Sequence, residues 1–145
     1  MSITKQQIET ISVMIIDDEP FMRKLLTRLL DEIGIKEIVT ADDGADGLNK
    51  LAATPLVPSL VICDLEMPGI DGFEFVRKLR AAKNDKFKDL PVLIVTGHSD
   101  PESVKSAVNA GIHGYLAKPV SRGALEKRIA TALQIGPIDP AKLSR

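Results

Sequence analysis

The chain has 145 residues, enough for one domain whose core closes without disulfides or a structural metal. Hydrophobic residues make up 44% and charged residues 27%, and 19 basic against 20 acidic side chains leave a net charge of −1. That balance gives no electrostatic ground for expecting nucleic acid or an anionic membrane surface as a partner.

Residues 1–11 read as an N-terminal extension, in which Ile3, Ile8 and Ile11 allow a short helix. They lack the apolar stretch of a signal peptide, and no apolar run approaches membrane-spanning length. A soluble, cytoplasmic protein is expected. The first strand is predicted at Val13-Met14-Ile15-Ile16, and a helix follows from Pro20, with Met22, Leu25, Leu26, Leu29, Leu30 and Ile33 at helical spacing. Gly34 stands where this helix should stop. Ile38-Val39 is a weaker strand candidate, followed by a poorer helix from Gly44 to Ala53 that Gly47 weakens. Leu60-Val61-Ile62-Cys63 is the third strand; its cysteine, the only one in the chain, reads as a small buried hydrophobe and excludes an internal disulfide.

Turn residues Met67-Pro68-Gly69-Ile70-Asp71-Gly72 lead into a helix carrying Phe75, Val76 and Leu79, with Asp71 as its cap. Val92-Leu93-Ile94-Val95 is the fourth strand. Asp100-Pro101-Glu102 opens a helix with Val104, Ala107 and Val108, which Gly111 ends. Tyr115-Leu116 is the fifth strand, and Ser121 caps a last helix carrying Leu125, Ile129 and Leu133. Residues 135–145, with Pro137 and Pro140, are expected to form a flexible tail. Strand and helix thus alternate, and three of the strands are unbroken apolar runs, as suits strands covered on both faces. The pattern implies one α/β domain over residues 12–134, a parallel sheet with helices on both faces.

Polar residues follow the strands at their carboxyl ends: Asp17-Asp18-Glu19, Asp64, Thr96 and Lys118-Pro119. In open α/β sheets that edge hosts ligands where the strand order reverses. If the first and third strands flank the reversal, Asp17, Asp18 and Asp64 meet in one pocket. Three carboxylates repel one another unless a cation intervenes. With Lys118 the group carries −2, which a divalent ion neutralises. Hard oxygen donors with room for water and phosphate suit Mg²⁺, with Mn²⁺ as a substitute. A carboxylate held between metal and lysine is placed to attack phosphorus, and Thr96 is placed to donate its hydroxyl to the new phosphoryl oxygens.

Taken singly these residues have plainer readings. Asp17-Asp18-Glu19 favours a helix N-terminus, Asp64 precedes a turn, and Lys118 suits a solvated surface. Asp42-Asp43-Gly44-Ala45-Asp46-Gly47 mimics a calcium loop, but its twelfth position is Ala53 where a bidentate glutamate is required. His98 and His113 are too isolated to form a metal pair, and no P-loop is present.

The motifs Ile15-Ile16-Asp17-Asp18-Glu19, Cys63-Asp64-Leu65-Glu66-Met67-Pro68-Gly69-Ile70-Asp71-Gly72, Val95-Thr96-Gly97 and Gly114-Tyr115-Leu116-Ala117-Lys118-Pro119 appear in order. With them the chain resembles the CheY-like receiver domain of two-component response regulators, from about Ser12 to Leu133. The resemblance implies a flavodoxin-like, doubly wound (βα)5 fold with strand order 2-1-3-4-5. It implies that Asp64 accepts a phosphoryl group from a sensor histidine kinase or a histidine phosphotransfer protein. Asp17, Asp18 and Asp64 would hold Mg²⁺, with the backbone carbonyl of Glu66 as a further ligand. Thr96 and Tyr115 would form a switch pair, Lys118 would pair with the phosphoryl oxygens, and the Lys118–Pro119 bond would be cis. Glu66 and His98 would flank the phosphoryl group, and Gly97 stands where the family often has alanine.

The implied protein is a signalling module, not an enzyme beyond its own phosphorylation and dephosphorylation. About a dozen residues follow the last helix, too few for an output domain, so a downstream protein partner is expected. Its oligomeric state is not legible. Two competing readings are a phosphohydrolase of the haloacid dehalogenase type and a receiver that only binds. The first places its nucleophile strand early and its second acidic pair late, whereas here Asp17-Asp18 precede Asp64.

Overall fold

The computed structural model describes residues 4–54, 57–97 and 100–141. Five strands, β1 (Ser12–Ile16), β2 (Glu37–Ala41), β3 (Leu60–Cys63), β4 (Val92–Thr96) and β5 (Gly114–Ala117), form one sheet in the order β2-β1-β3-β4-β5. All four pairings are parallel. This is the expected flavodoxin-like arrangement, with the order reversing between β1 and β3.

Each apolar run serves two cores at once, because successive strand residues point to opposite faces. Met14, Ile16, Val61, Cys63, Val92 and Ile94 face a core shared with α3 (Gly44–Ala53), α4 (Gly72–Arg80) and α6 (Pro101–Ala110). Val13, Ile15, Leu60, Ile62, Leu93 and Val95 face the other, shared with α2 (Pro20–Ile33) and α7 (Arg122–Gln134). Residues such as Phe75, Ile15 and Leu93 are wholly buried. Each large apolar side chain so buried contributes about 1.5–3 kcal/mol. The two edge strands, β2 and β5, instead alternate between more and less covered positions.

The helix ends follow local chemistry. Asp43, Asp71, Asp100 and Ser121 each accept a hydrogen bond from the backbone N–H three residues on, opening α3, α4, α6 and α7. Asp43 is thus a cap and Asp46 pairs with Lys50, so the residues that mimic a calcium loop are spent on helix formation. Gly34 and Gly111 end their helices in the left-handed conformation.

The short helix that the extension allows is present, and one further element, α5, was not anticipated. The extension forms α1 (Lys5–Thr10) through a capping box between Thr4 and Gln7, and Ile8 and Ile11 join the α2–α7 core; Ile3 lies outside the described residues. Asn84 caps a one-turn helix, α5 (Asp85–Lys88), too short to show a period in sequence. Beyond α7 the chain turns through Gly136, and Ile138 packs on the α3–α4–α6 core and donates its N–H to the Ile112 carbonyl at 3.0 Å. Residues 142–145 of the expected tail lie outside the described residues. No described helix is long and apolar enough to cross a membrane.

His113, just before β5, is 6% exposed, and its Nδ1 accepts a long hydrogen bond from the Val92 N–H at 3.4 Å. Burial, with the Arg80 charge adding to it against Asp89, lowers its pKa from 6.5 to about 4. The unfolded chain therefore takes up this proton near pH 6.5, and the folded chain only near pH 4. Stability from this group is full above that window and falls as pH drops through it, by on the order of 3 kcal/mol. Urea midpoints measured from pH 7 to pH 4 should fall more steeply for the natural chain than for His113→Asn.

Candidate functional site: an acidic pocket at the carboxyl edge of the sheet

The register of the sheet builds the site. Ile16 is paired with Cys63, so the next residues, Asp17 and Asp64, emerge side by side. The Asp64 N–H donates to the Ile16 carbonyl at 3.1 Å and the Asp17 N–H to the Ala41 carbonyl at 3.3 Å, which extends the ladder to both acids. Thr96 is paired with Ala117, and the Lys118 N–H donates to the Thr96 carbonyl at 2.8 Å. The Lys118–Pro119 bond is cis. An open pocket results, lined by Asp18, Glu19, Asp64, Glu66, Thr96 and Lys118 among others.

Among the described residues the buried polar or charged side chains are Asp17, Asp64, Thr96 and His113, and the first three of these stand at this edge. Lys118 reaches in from β5: its Nζ lies 3.0 Å from Asp64 Oδ2, 3.2 Å from Asp17 Oδ2 and 3.7 Å from Glu19 Oε1. The second carboxylate oxygens are held by backbone. The Glu19 N–H donates to Asp17 Oδ1 at 2.9 Å, and the Glu66 N–H to Asp64 Oδ1 at 3.3 Å. Burial pushes the Asp17 carboxyl above its usual range, helped by the Asp64 charge and opposed by the Glu19 N–H and Lys118. For Lys118 burial acts downward, but its bonds to Asp64 and Asp17 outweigh it and leave the ammonium more firmly protonated than usual. Lys118 therefore does not fully offset the cost of burying Asp17.

That deficit bears on a metal. Asp17, Asp18, Glu19 and Asp64 each bring a carboxylate oxygen into a group whose members lie within 4.8 Å of one another. Four carboxylates and one ammonium leave an excess negative charge, and the donors are hard oxygens open to solvent on the Asp18 and Glu19 side. The residues fit Mg²⁺ or Mn²⁺. Glu19 was not singled out in the sequence beyond its motif. It occupies the position before α2 but makes no side-chain cap bond there, and its carboxylate joins the acidic group instead.

Asp71 caps α4 through the Glu74 N–H at 2.8 Å, as expected, and is not part of the acidic group. Gly72 explains the turn chemistry after Asp64. A Cβ there would stand 2.4 Å from the Asp64 carbonyl oxygen and 2.8 Å from Leu65 Cα, so only glycine lets α4 begin against the β3 end. Tyr115, half-buried on β5, packs on the α3–α4–α6 core; burial and then Asp100 and Asp64 raise its phenol pKa. Glu66 is exposed at the pocket, while His98 lies outside the described residues.

The response regulator receiver domain profile matches residues 13–130, and the chain belongs to that family. It is 31% identical over 121 residues to chemotaxis protein CheY-3 of Vibrio cholerae, covering 83% of this chain and 90% of that protein. It is 36% identical over 123 residues to the C4-dicarboxylate transport transcriptional regulatory protein DctD of Pseudomonas aeruginosa, covering 85% of this chain but only 25% of DctD. Among solved structures, a putative response regulator from Chloroflexus aurantiacus superimposes with a TM-score of 0.76 at 30% identity, covering 84% of this chain and 96% of that one. CheY4 of Vibrio cholerae gives 0.73 at 30% identity over 83% and 96%. Family membership sets aside the haloacid dehalogenase alternative.

Two substitutions test this packing. Gly72→Ala should lower unfolding free energy by about 1–3 kcal/mol, because the new Cβ meets fixed backbone. At Gly97 a Cβ would meet nothing within 4 Å and φ is not positive. Gly97→Ala should therefore raise stability by about 0.4–1 kcal/mol through the unfolded state. Chemical denaturation of both variants against the natural chain measures each effect.

Proposed function

We propose that residues 12–134 act as a receiver whose phosphoryl acceptor is Asp64, fed by a sensor histidine kinase or a histidine phosphotransfer protein. The observation that carries this reading is the Lys118 ammonium held 3.0 Å from Asp64 Oδ2 and 3.2 Å from Asp17 Oδ2. Asp64 is buried and needs no base, since a carboxylate is already the nucleophile. One oxygen attacks the phosphorus of a phosphohistidine. The O–P bond of an aspartyl phosphate forms as the P–N bond breaks, and the histidine leaves as neutral imidazole because its other ring nitrogen already carries a proton taken from solvent. Backbone donation from Glu66 orients the Asp64 carboxylate, while Lys118 neutralises charge on the transferring oxygens.

Asp17, Asp18 and Asp64, with the Glu66 backbone carbonyl, are the residues proposed to hold Mg²⁺, or Mn²⁺ in its place. When bound, such an ion lowers the repulsion between the carboxylates and the incoming phosphoryl group. Once Asp64 is phosphorylated to the acyl phosphate its charge and its bond to Lys118 change, and the ammonium is free to pair with phosphoryl oxygens. Thr96, buried at the β4 end, then donates its hydroxyl to the phosphoryl group. Tyr115 turns inward behind it, shifting the surface made by β4, α6, β5 and α7 between two states. A downstream protein reads that surface. The activity is limited to the domain's own phosphorylation and dephosphorylation, and a cytoplasmic location goes with such a donor.

With Mg²⁺ and acetyl phosphate, intact mass should show one phosphoryl adduct on the natural chain and none on Asp64→Asn. The absence of an adduct under conditions that label another receiver would overturn the assignment. Mg²⁺ alone at 100 times its Kd should stabilise the fold by about 2.7 kcal/mol, read as a rise in Tm, because it binds only the assembled site. Asp17→Asn should remove most of that rise.

A further inference from the structure

α6 is more lightly anchored than α2, α4 and α7, the helices it shares the sheet with besides α3. Its buried residues are Ala107 and Val108 alone, whereas α2 buries Met22, Leu26, Leu29 and Leu30, and α7 buries Leu125, Ile129, Ala130 and Ala132. A helix with so few buried side chains opens and shifts more readily than its neighbours. Its N-terminus follows the loop after Thr96, on the site's edge of the sheet. Its C-terminal end lies at the opposite edge, and there two ties hold it.

The first tie comes from α4: Arg80 Nε and Nη2 donate to the Gly111 carbonyl at 3.1 and 2.8 Å. The second comes from the far side of the sheet. α7 packs on the α2 core, yet the residues after it cross the amino edge of the sheet and reach the other core. Gly136, at φ +107, makes the turn, a conformation that side chains rarely adopt. Ile138 then packs on the core containing Ala107, Val108 and Ile112 and donates its N–H to the Ile112 carbonyl at 3.0 Å. Asp139 Oδ1 accepts from the Ala141 N–H at 3.0 Å and closes a turn beyond it.

We propose that residues 136–138 are a strap that pins the C-terminal end of α6 and restrains that helix when Asp64 is phosphorylated. The strap joins the end of α7 to the turn between α6 and β5, so it spans the elements of the proposed output surface and limits their relative movement. The restraint on the phosphorylated state rests on the function proposed above; the pinning does not.

Ile138→Ala in the full chain removes the packing, and Ile138→Val restores most of it. Without Mg²⁺, hydrogen exchange of the Val104–Ala110 amides should quicken about tenfold in Ile138→Ala while α2 amides are unaffected. Beryllofluoride with Mg²⁺, a phosphoryl mimic, should bind Ile138→Ala about threefold more tightly, since less restraint opposes the shifted state. Ile138→Val should behave as the natural chain in both measurements. Unchanged α6 exchange, or equal quickening in every helix, would overturn the strap. Faster α6 exchange with unchanged or weaker beryllofluoride binding would overturn its role in the phosphorylated state. Failure of both proteins to bind beryllofluoride would instead overturn the phosphorylation reading.

Discussion

Two carboxylates buried side by side, with one ammonium between them, are the constraint on which the rest of this molecule turns. Asp17 and Asp64 are 1% and 4% exposed, at adjacent positions of adjacent strands. Such a pair costs more in desolvation than any single surface ion pair returns. It persists because the surrounding sheet holds both backbones in register and because Lys118 arrives from a third strand. The same geometry leaves the pocket short of positive charge. A cation and a phosphoryl group can therefore change its energy far more than they would change a solvated cluster of acids.

That cost has to be offset elsewhere, and the two cores on either side of the sheet are where this occurs. The side chains that β1, β3 and β4 give to these cores are apolar, and polarity begins at the residue after β1 and β3 and at the last residue of β4, Thr96. Stability and chemistry are thus divided along each strand. The polar exceptions reinforce the point: Asp17, Asp64 and Thr96 mark the site, whereas His113 is held neutral at the opposite edge by burial.

The segments outside the five strand–helix units have physical work of their own. α1 adds Ile8 and Ile11 to the α2–α7 core, and Ile138 adds to the other. Both act at the amino edge of the sheet, opposite the acidic pocket. The pocket edge is left open to solvent and to partners, while the far edge is closed by the two ends of the described chain.

Much of this was written in the order of residues. Unbroken apolar runs that end in acids, threonine or lysine determined a parallel sheet and the edge where its polar residues meet, because strands buried on both faces leave no other position for them. Asp71, Asp100 and Ser121 announced their helices through local hydrogen bonds that need no tertiary partner. Other features depended on contacts between distant segments. Gly47 counts against a helix on propensity, yet a Cβ there would meet Ile16 Cδ1 at 2.5 Å, so glycine lets α3 lie close on β1 without displacing that side chain. Glu19 passes for a helix-start acid until Lys118 stands 3.7 Å away. Pro137 and Pro140 suggest a loose tail, but Ile138 finds a carbonyl and a core on the far face. The sequence by itself determined which strand and helix faces are buried and at which sheet edge charge gathers, since both follow from local pattern. Tertiary structure alone decided how close those charges stand and what the chain ends touch, since both depend on strand register and on neighbours remote in the chain.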